Sequence, residues 1–156
     1  MKDIVQLDGF FPYRLAIAAE AFSRSLTNVY GRRYGLSREE WRLLFLLAGV
    51  DDMTSLELGQ RTTLDKVQVS RAAQRLEEKG LISRAIASSD RRLRLYACTT
   101  TGKALFDEIL PQVEAQASDI LQSMPPQERA ALERGLVALL QAIDSAQGEV
   151  ERQPIS

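Results

Sequence analysis

The chain of 156 residues contains no histidine and one cysteine, Cys98. Histidine is the most common general base, zinc ligand and pH switch in proteins, so its absence argues against all three kinds of site. A single cysteine can form neither a disulfide within the chain nor, by itself, a thiolate metal site. The sequence also lacks a P-loop, a dinucleotide-binding motif and a nucleophile elbow. We therefore predict a protein that is not an enzyme and that uses no metal or cofactor.

Long apolar runs are missing as well. The longest, residues 43–50, is far shorter than the ~20 residues of a membrane-spanning helix and is predicted to be a buried helical segment. The first ten residues, MKDIVQLDGF, carry acidic side chains and no long apolar core, so no signal peptide is expected and the cytoplasm is the default location. With 45% apolar residues, the chain can still form a hydrophobic core.

The net charge is only −1 at pH 7, but the charges are unevenly distributed. Residues 1–60 hold 7 basic and 8 acidic residues, residues 61–103 hold 10 and 4, and residues 104–156 hold 3 and 9. The middle block thus carries +6 between flanks of −1 and −6. Phosphate contacts act over about a Debye length, ~8 Å at physiological salt, so local charge matters more than the total. An anionic partner is expected at the middle block.

The segment from Leu64 to Gly80, inside this block, predicts a helix with clearly marked ends. Asp65 is a suitable N-cap, Gln68 completes a capping box, and Gly80 suits the left-handed position after a helix. Four apolar residues recur at helical spacing and predict a buried stripe: Val69, Ala72, Ala73 and Leu76. The opposite face is predicted to carry Val67, Ser70, Arg71, Gln74 and Glu78.

This outward face has the composition of a helix that reads the DNA major groove. Arginine suits guanine edges, glutamine suits adenine, and an apolar group suits the thymine methyl, so these contacts are assigned to Arg71, Gln74 and Val67. Phosphate contacts are assigned to Lys66, Ser70 and Arg75. Gln68 is ambiguous, because a capping role would occupy its amide. An ordinary solvated face with one exposed valine is the alternative interpretation.

Three helices are predicted before this one. The first covers residues 10–34 and is apolar on more of its circumference than one small domain would cover. Ser37–Glu40 is a capping box that opens a second helix, and Thr54–Glu57 is another that opens a short third helix. Gly59, in the middle of the third helix, is expected to allow a neighbouring helix to approach closely.

The third helix, a turn and the charged helix together predict a helix-turn-helix. Two β-prone runs, LISRAIA and LRLYACT, flank the charged turn SSDRR and predict a hairpin of the kind called a wing. Its tip carries Asp90, Arg91 and Arg92, and an arginine there is placed to enter a narrow minor groove. A solvated hairpin turn is the alternative interpretation of this tip.

Two helices are predicted after the wing. The first is capped at residues 99–101 and runs to Met124, with Pro111 predicting a kink or break. The second runs from Glu128 to about residue 146, and residues 148–156 are expected to form a frayed tail. Both helices are acidic and apolar, which suits contacts with partner helices rather than with DNA.

The predicted fold class is therefore mainly α with a small β-hairpin wing. It comprises an N-terminal dimerisation helix (residues 1–36), a winged helix-turn-helix lobe (37–100), C-terminal dimerisation helices (101–147) and the tail, in a single compact polypeptide unit.

In this order the elements resemble the MarR family of winged-helix transcriptional regulators over nearly the whole chain. VSRAAQRLEEKGLISR resembles the family's recognition helix running into the first wing strand. The wing signature of the family has an Asp and a second Arg before a Leu-Thr pair, which Asp90, Arg92 and Thr99 resemble, with Cys98 in the leucine position. Thr63 stands where glycine is frequent, and FFPYRL resembles members linked to small aromatic acids.

The resemblance implies a homodimer that binds double-stranded DNA. Two recognition helices would occupy successive major grooves of a pseudo-palindrome, with half-site centres ~34 to 36 Å apart. It also implies repression that a small phenolic or aromatic carboxylate relieves by binding between the dimer helices and the DNA-binding lobe. Candidates for that effector site combine aromatic walls with a cationic partner for the carboxylate. They are Tyr13, Arg14, Trp41 and Arg42; the alternative is that these aromatics belong to the core.

Two other functions stay open on the sequence alone. The winged helix could serve as an adaptor for another protein instead of binding DNA. Alternatively, the DNA-binding protein could be a redox sensor through Cys98, although the chain has no second cysteine to resolve an oxidised thiol.

Overall fold

The computed structural model describes residues 9–150, which form six helices and a small sheet. In chain order the elements are α1 (Phe11–Tyr30), α2 (Arg38–Ala48), β1 (Met53–Thr54), α3 (Ser55–Arg61), α4 (Lys66–Glu78), β2 (Ile82–Ile86), β3 (Arg94–Cys98), α5 (Thr100–Gln122) and α6 (Pro126–Val150). The predicted fold class, mainly α with a wing, is confirmed. Residues 1–8, from which the absence of a signal peptide was predicted, lie outside the described range. Most of the predicted tail lies outside it as well.

All three predicted capping boxes are present at the starts of α2, α3 and α4. In each, the N-cap side chain accepts a hydrogen bond from the backbone N–H three residues later, and that residue's side-chain oxygen accepts one from the N-cap N–H. Gly80, just past the end of α4, has φ +71°, the left-handed conformation that glycine adopts without strain. Local sequence signals therefore set the ends of the helices in the DNA-binding lobe.

The wing is part of a three-stranded antiparallel sheet with the order β1-β3-β2. β2 and β3 form the predicted hairpin, in register from Ile82 opposite Cys98 to Ile86 opposite Arg94. β1 adds Met53 opposite Tyr96 on the other edge of β3. The sequence analysis missed β1, because two residues are too few to show an alternating pattern.

Three helix predictions differ from the structure. The break predicted at Pro111 is wrong, since α5 is continuous through it; the proline is exposed, so its missing N–H lies on the solvent side. α6 starts at Pro126, where proline is tolerated, and passes Gly148 to reach Val150 instead of ending near residue 146. α1 has the expected length of about 20 residues, but it ends at Tyr30, so residues 31–34 of the predicted range lie outside it.

The chain divides into two compact units between Gln116 and Ala117, inside α5. This division differs from the predicted boundary at residue 101, where the C-terminal dimerisation helices were expected to begin, and that assignment remains a prediction. The difference arises because Ile109 and Val113 of α5 are buried in the core of the first unit, together with residues of α2 and α4. The largest fully buried side chains of that core are Tyr30, Leu43, Leu44, Leu47, Leu58, Leu76 and Ile109, with Glu40.

Each unit also exposes apolar side chains on a helix. In the first unit they lie at the start of α1: Phe11, Tyr13 and Ile17. In the second unit they lie along α6: Leu132, Leu136, Val137, Leu140 and Ile143. Within the part of the chain that the structure describes, no helix is both long enough and apolar enough to cross a membrane.

Candidate nucleic-acid interface

α4 has the two faces that its sequence predicts. Val69, Ala72, Ala73 and Leu76 are all buried, with at most 7% of their surface exposed. On the other side, Val67 is 57% exposed, and Ser70, Arg71 and Gln74 are exposed as well. An apolar side chain held in water beside an arginine and a glutamine is the mixture that suits base edges in a major groove.

The first turn of α4 is closed by its capping box. The Gln68 N–H donates to Oδ1 of Asp65 (2.8 Å), and the Asp65 N–H donates to Oε1 of Gln68 (3.0 Å). The ambiguity over Gln68 is thereby resolved in part, because its amide oxygen is engaged in capping. Only the NH₂ group of this side chain is left to contact DNA.

The polar residues of α4 differ in how available they are. Gln74 donates from Nε2 to Oε1 of Glu78 one turn later (3.1 Å), so it must exchange this bond to reach an adenine. Arg75 is 46% exposed but is already paired, with Nε 3.6 Å from Oε1 of the buried Glu40. A phosphate contact by Arg75 would therefore require it to leave an existing ion pair, which Lys66 and Arg71 on the exposed face need not do.

The wing tip is shaped by Asp90 and Arg92. Asp90 Oδ1 accepts hydrogen bonds from the Arg92 backbone N–H (3.0 Å) and Nε (3.2 Å), and Oδ2 accepts one from Nη2 (3.3 Å). The backbone N–H of Arg92, followed by its guanidinium, holds the pKa of Asp90 below its usual value. Asp90 therefore orders the turn, whereas the Arg92 side chain is 90% exposed and Arg91 is exposed beside it.

Two further exposed arginines, Arg61 at the end of α3 and Arg94 on β3, lie in the same +6 block. The sequence analysis assigned them no contact, because neither belongs to a motif. The excess of positive charge over residues 61–103 is the sequence signal that indicated both arginines.

The four candidate effector residues are in two different settings. Trp41 is 8% exposed and stacks on Tyr30 (ring centroids 5.3 Å apart) and on Phe106 (5.4 Å), so it is a core residue. Arg42 is partly exposed and donates from Nη1 to Oγ1 of Thr63 (2.9 Å) and from Nη2 to Oγ of Ser23 (3.4 Å).

Tyr13 and Arg14 are exposed near the start of α1. Trp41 meets this helix at Tyr30, which at ~1.5 Å per residue is about 25 Å further along the helix axis. One chain therefore does not bring Tyr13 and Arg14 together with Trp41.

Cys98 is half-buried near the end of β3, and burial raises the pKa of its thiol. A thiol with a raised pKa is a poor nucleophile at neutral pH.

Comparison with known proteins agrees with this geometry. Residues 34–93, which include α2, the helix-turn-helix and the wing tip, match the model of the MarR family. The regulator YdgJ of Bacillus subtilis, itself uncharacterized, is 28% identical over 98 residues, which span 63% of this chain and 60% of YdgJ. The matched part is therefore less than two thirds of that relative's length.

Two solved structures match most of the chain. A MarR-family regulator from Silicibacter pomeroyi superposes with a TM-score of 0.70 and 26% identity, over 91% of this chain and 97% of that one. NadR in complex with 4-hydroxyphenylacetate superposes with a TM-score of 0.65 and 25% identity, over 81% of this chain and 88% of NadR.

A helix-turn-helix followed by a β-hairpin, with a polar and cationic outer face on the second helix, defines the class of winged helix-turn-helix proteins. The family model and the solved structures narrow that class. Residues 34–93 match the MarR family of transcriptional regulators and the fold over most of the chain is that of a MarR-family structure, so the resemblance stated from the sequence is confirmed.

Proposed function

We propose that this protein is a cytoplasmic, homodimeric transcriptional repressor that binds a pseudo-palindromic operator and is released by a small aromatic or phenolic carboxylate. The observation that carries the proposal is the outer face of α4, where Val67, Arg71 and Gln74 are exposed opposite a fully buried stripe. No catalytic, metal or cofactor role is assigned to any residue.

The DNA contacts follow from this geometry. Arg71 pairs with guanine, Gln74 pairs with adenine after leaving Glu78, and Val67 contacts a thymine methyl. Lys66 and Ser70 contact phosphates beside them, and Arg92 or Arg91 enters the minor groove from the wing. Arg75 contributes positive charge at a distance while it stays paired with Glu40.

Dimerisation is supported by the apolar side chains that one chain leaves in water. Phe11 and Ile17 of α1 are 60% and 52% exposed, and Leu140 of α6 is 63% exposed. Apolar surface of this kind on a regulator that must bind two half-sites calls for a second copy of the chain. The dimer then sets the distance between the two copies of α4, ~34 to 36 Å for half-sites one helical turn apart.

The effector class is supported by NadR, whose structure holds 4-hydroxyphenylacetate. In this chain Arg42 is the candidate partner for such a carboxylate, because it is partly exposed, whereas Trp41 is buried in the core and is not available as an aromatic wall. Tyr13 and Arg14 would have to come from the partner chain of the dimer, because α1 carries them far from Trp41. To shift the protein from 99% in the DNA-binding arrangement to 99% in an arrangement that cannot bind the operator, the effector must bind the second arrangement more tightly by about 5.5 kcal/mol.

The DNA-binding part is tested by a mobility shift on the gene's own upstream region at two salt concentrations. Arg71→Ala should cost ~1 to 3 kcal/mol on the operator and little on a shuffled duplex, and Lys66→Ala should flatten the salt dependence by about one unit. Arg84→Ala is the matched control, because Arg84 is already paired with Glu77 (3.0 Å). Equal losses on both duplexes for Arg71→Ala would refute its role in reading bases.

The effector part is tested by titrating 4-hydroxyphenylacetate against the protein–operator complex. Arg42→Gln should require several-fold more ligand for release than the unaltered protein, while Arg38→Gln, which breaks an ion pair with Glu20 instead, should not. Release at the same ligand concentration in both variants would exclude Arg42 as the carboxylate partner. Repression itself predicts that transcripts controlled by the operator rise when the gene is deleted.

A further inference from the structure

Among the described side chains, Glu40 is the charged residue that is buried, with 2% of its surface exposed. A carboxylate in this position is costly unless it is both hydrogen-bonded and paired with a cation. Glu40 lies in the first turn of α2, but the cations that pair with it come from the far end of α4.

The two oxygens of Glu40 have separate partners. Oε2 accepts the Ser37 N–H (2.6 Å) and so completes the capping box of α2. Oε1 accepts a hydrogen bond from Nζ of Lys79 (2.9 Å) and lies 3.6 Å from Nε of Arg75. A substitution can therefore remove the ion pairs and leave the cap in place.

Lys79 makes a second contact to the same segment. Its Nζ also donates to the backbone oxygen of Gly35 (2.8 Å), and Gly35 has φ +67°. The end of α4 is thus tied at two points, to the connection between α1 and α2 at Gly35 and to the first turn of α2 at Glu40. Of the residues assigned to base edges, Val67 lies in the first turn of α4, Arg71 in its middle, and Gln74 directly before Arg75.

The composition of the buried stripe explains why α4 needs the contacts of Lys79 and Arg75. Two of its four members are alanines, Ala72 and Ala73, which bring the helix close to the core but have no side-chain branches to interlock with neighbours. The small side chains restrain the rotation of α4 about its own axis only weakly. Hydrogen bonds and ion pairs at the end of the helix can fix this rotation, because they have a defined direction. Buried ion pairs add specificity of conformation more readily than net stability.

We propose that Glu40 is a positioning residue for DNA recognition: through Lys79 and Arg75 it fixes the orientation in which α4 presents Arg71 and Gln74. The proposal rests on the proposed function, since orientation matters only if α4 reads bases. It also assigns Lys79 to Glu40 rather than to a phosphate, although the lysine side chain is 39% exposed.

The test uses Glu40→Gln, Lys79→Gln and the double variant in the full chain. Glutamine at position 40 retains an oxygen for the Ser37 N–H, so the cap survives. Glu77→Gln is the matched control for Glu40→Gln, because it also removes one negative charge but breaks an exposed ion pair, the one with Arg84. The first measurement is the Kd ratio, which is the Kd on a shuffled duplex divided by the Kd on the gene's upstream duplex, at two salt concentrations. The second measurement is amide hydrogen exchange without DNA.

If Glu40 positions α4, both single variants lower the Kd ratio by on the order of tenfold, the double variant is no worse than either, and Glu77→Gln leaves it unchanged. Amide exchange rises in the last turn of α4 by more than it does in the other helices, whereas the loss of global stability that follows from breaking a buried ion pair would raise exchange in all of them. A uniform loss on both duplexes, with the salt dependence reduced by about one unit in Lys79→Gln alone, would make Lys79 a phosphate contact and overturn the proposal.

An unchanged Kd ratio with unchanged exchange in the last turn would overturn it equally. If the unaltered protein binds neither duplex, the proposed function fails, and the exchange measurement still decides whether Glu40 holds the end of α4.

Discussion

Gly102 of α5 lies directly against the backbone carbonyl of Leu81, which follows α4. A Cβ atom at Gly102 would be 2.0 Å from the Leu81 oxygen and 2.9 Å from its carbonyl carbon. The same carbonyl accepts the Thr99 N–H (3.0 Å), and the Thr99 hydroxyl donates to the Gly80 oxygen (2.7 Å) and accepts the Gly102 N–H (3.0 Å). The start of α5 is therefore joined to the end of the recognition helix at a distance that only glycine permits.

Gly102→Ala is expected to destabilise the protein. Alanine would favour a helix by about 1 kcal/mol over glycine, but here the added methyl must displace backbone atoms, and overpacking costs ~1 to 3 kcal/mol or more. Urea unfolding should show a lower midpoint. Gly59→Ala is the control: no atom lies within 4 Å of a Cβ there, so it should stabilise by about 0.5 to 1 kcal/mol. If both variants shift the midpoint in the same direction, the steric argument is wrong.

Trp41→Ala should destabilise the protein far more than Phe45→Ala. Trp41 stacks between Tyr30 and Phe106, and removing a large buried aromatic side chain costs ~3 to 5 kcal/mol. Phe45 contacts the same cluster but is 53% exposed, so its truncation leaves a smaller cavity. The midpoints of urea unfolding compare the two, and equal losses would contradict the placement of Trp41 in the core.

The carboxyl group of Asp90 is expected to titrate below its ordinary pKa of 3.8. Because its folded-state pKa is depressed, its stabilisation of the wing is complete above the unfolded pKa and is lost as the pH falls through the folded value. Carbon-detected NMR measures the midpoint directly. Arg92→Ala should raise the midpoint only part of the way, since the backbone N–H of residue 92 is the largest cause of the shift. A return to 3.8 in that variant would assign the effect to the guanidinium instead.

Cys98 is expected to be unreactive at neutral pH. Burial raises its pKa, so the thiolate that reacts with peroxide or iodoacetamide is scarce. Alkylation should be slower than that of free glutathione at pH 7.5, and mild peroxide should leave operator affinity the same as in a Cys98→Ala variant. A peroxide-dependent loss of affinity that this variant lacks would favour the redox alternative.

The sequence alone determined the local structure of the DNA-binding lobe. Each helix start carried a capping box, and the i, i+3, i+4, i+7 stripe of α4 identified which residues are buried and which face solvent. These signals act between residues close in the chain, so they can be recognised without knowing the fold. The same holds for the wing, where Asp90 bonds to a residue two positions later.

The tertiary structure decided everything that depends on residues far apart in the chain. Gly59 was expected to allow a neighbouring helix to approach, but among the described residues no atom of another element lies within 4 Å of a Cβ built there, and a close approach occurs at Gly102 instead. Arg75 was assigned to a phosphate because its ion pair with Glu40, 35 positions earlier, leaves no local pattern. Trp41 was grouped with Tyr13, but it stacks on Tyr30, which lies at the other end of α1. Local patterns state whether a residue is buried or exposed, but they do not state which distant residue it meets. In this protein those distant contacts determine how the recognition helix is held.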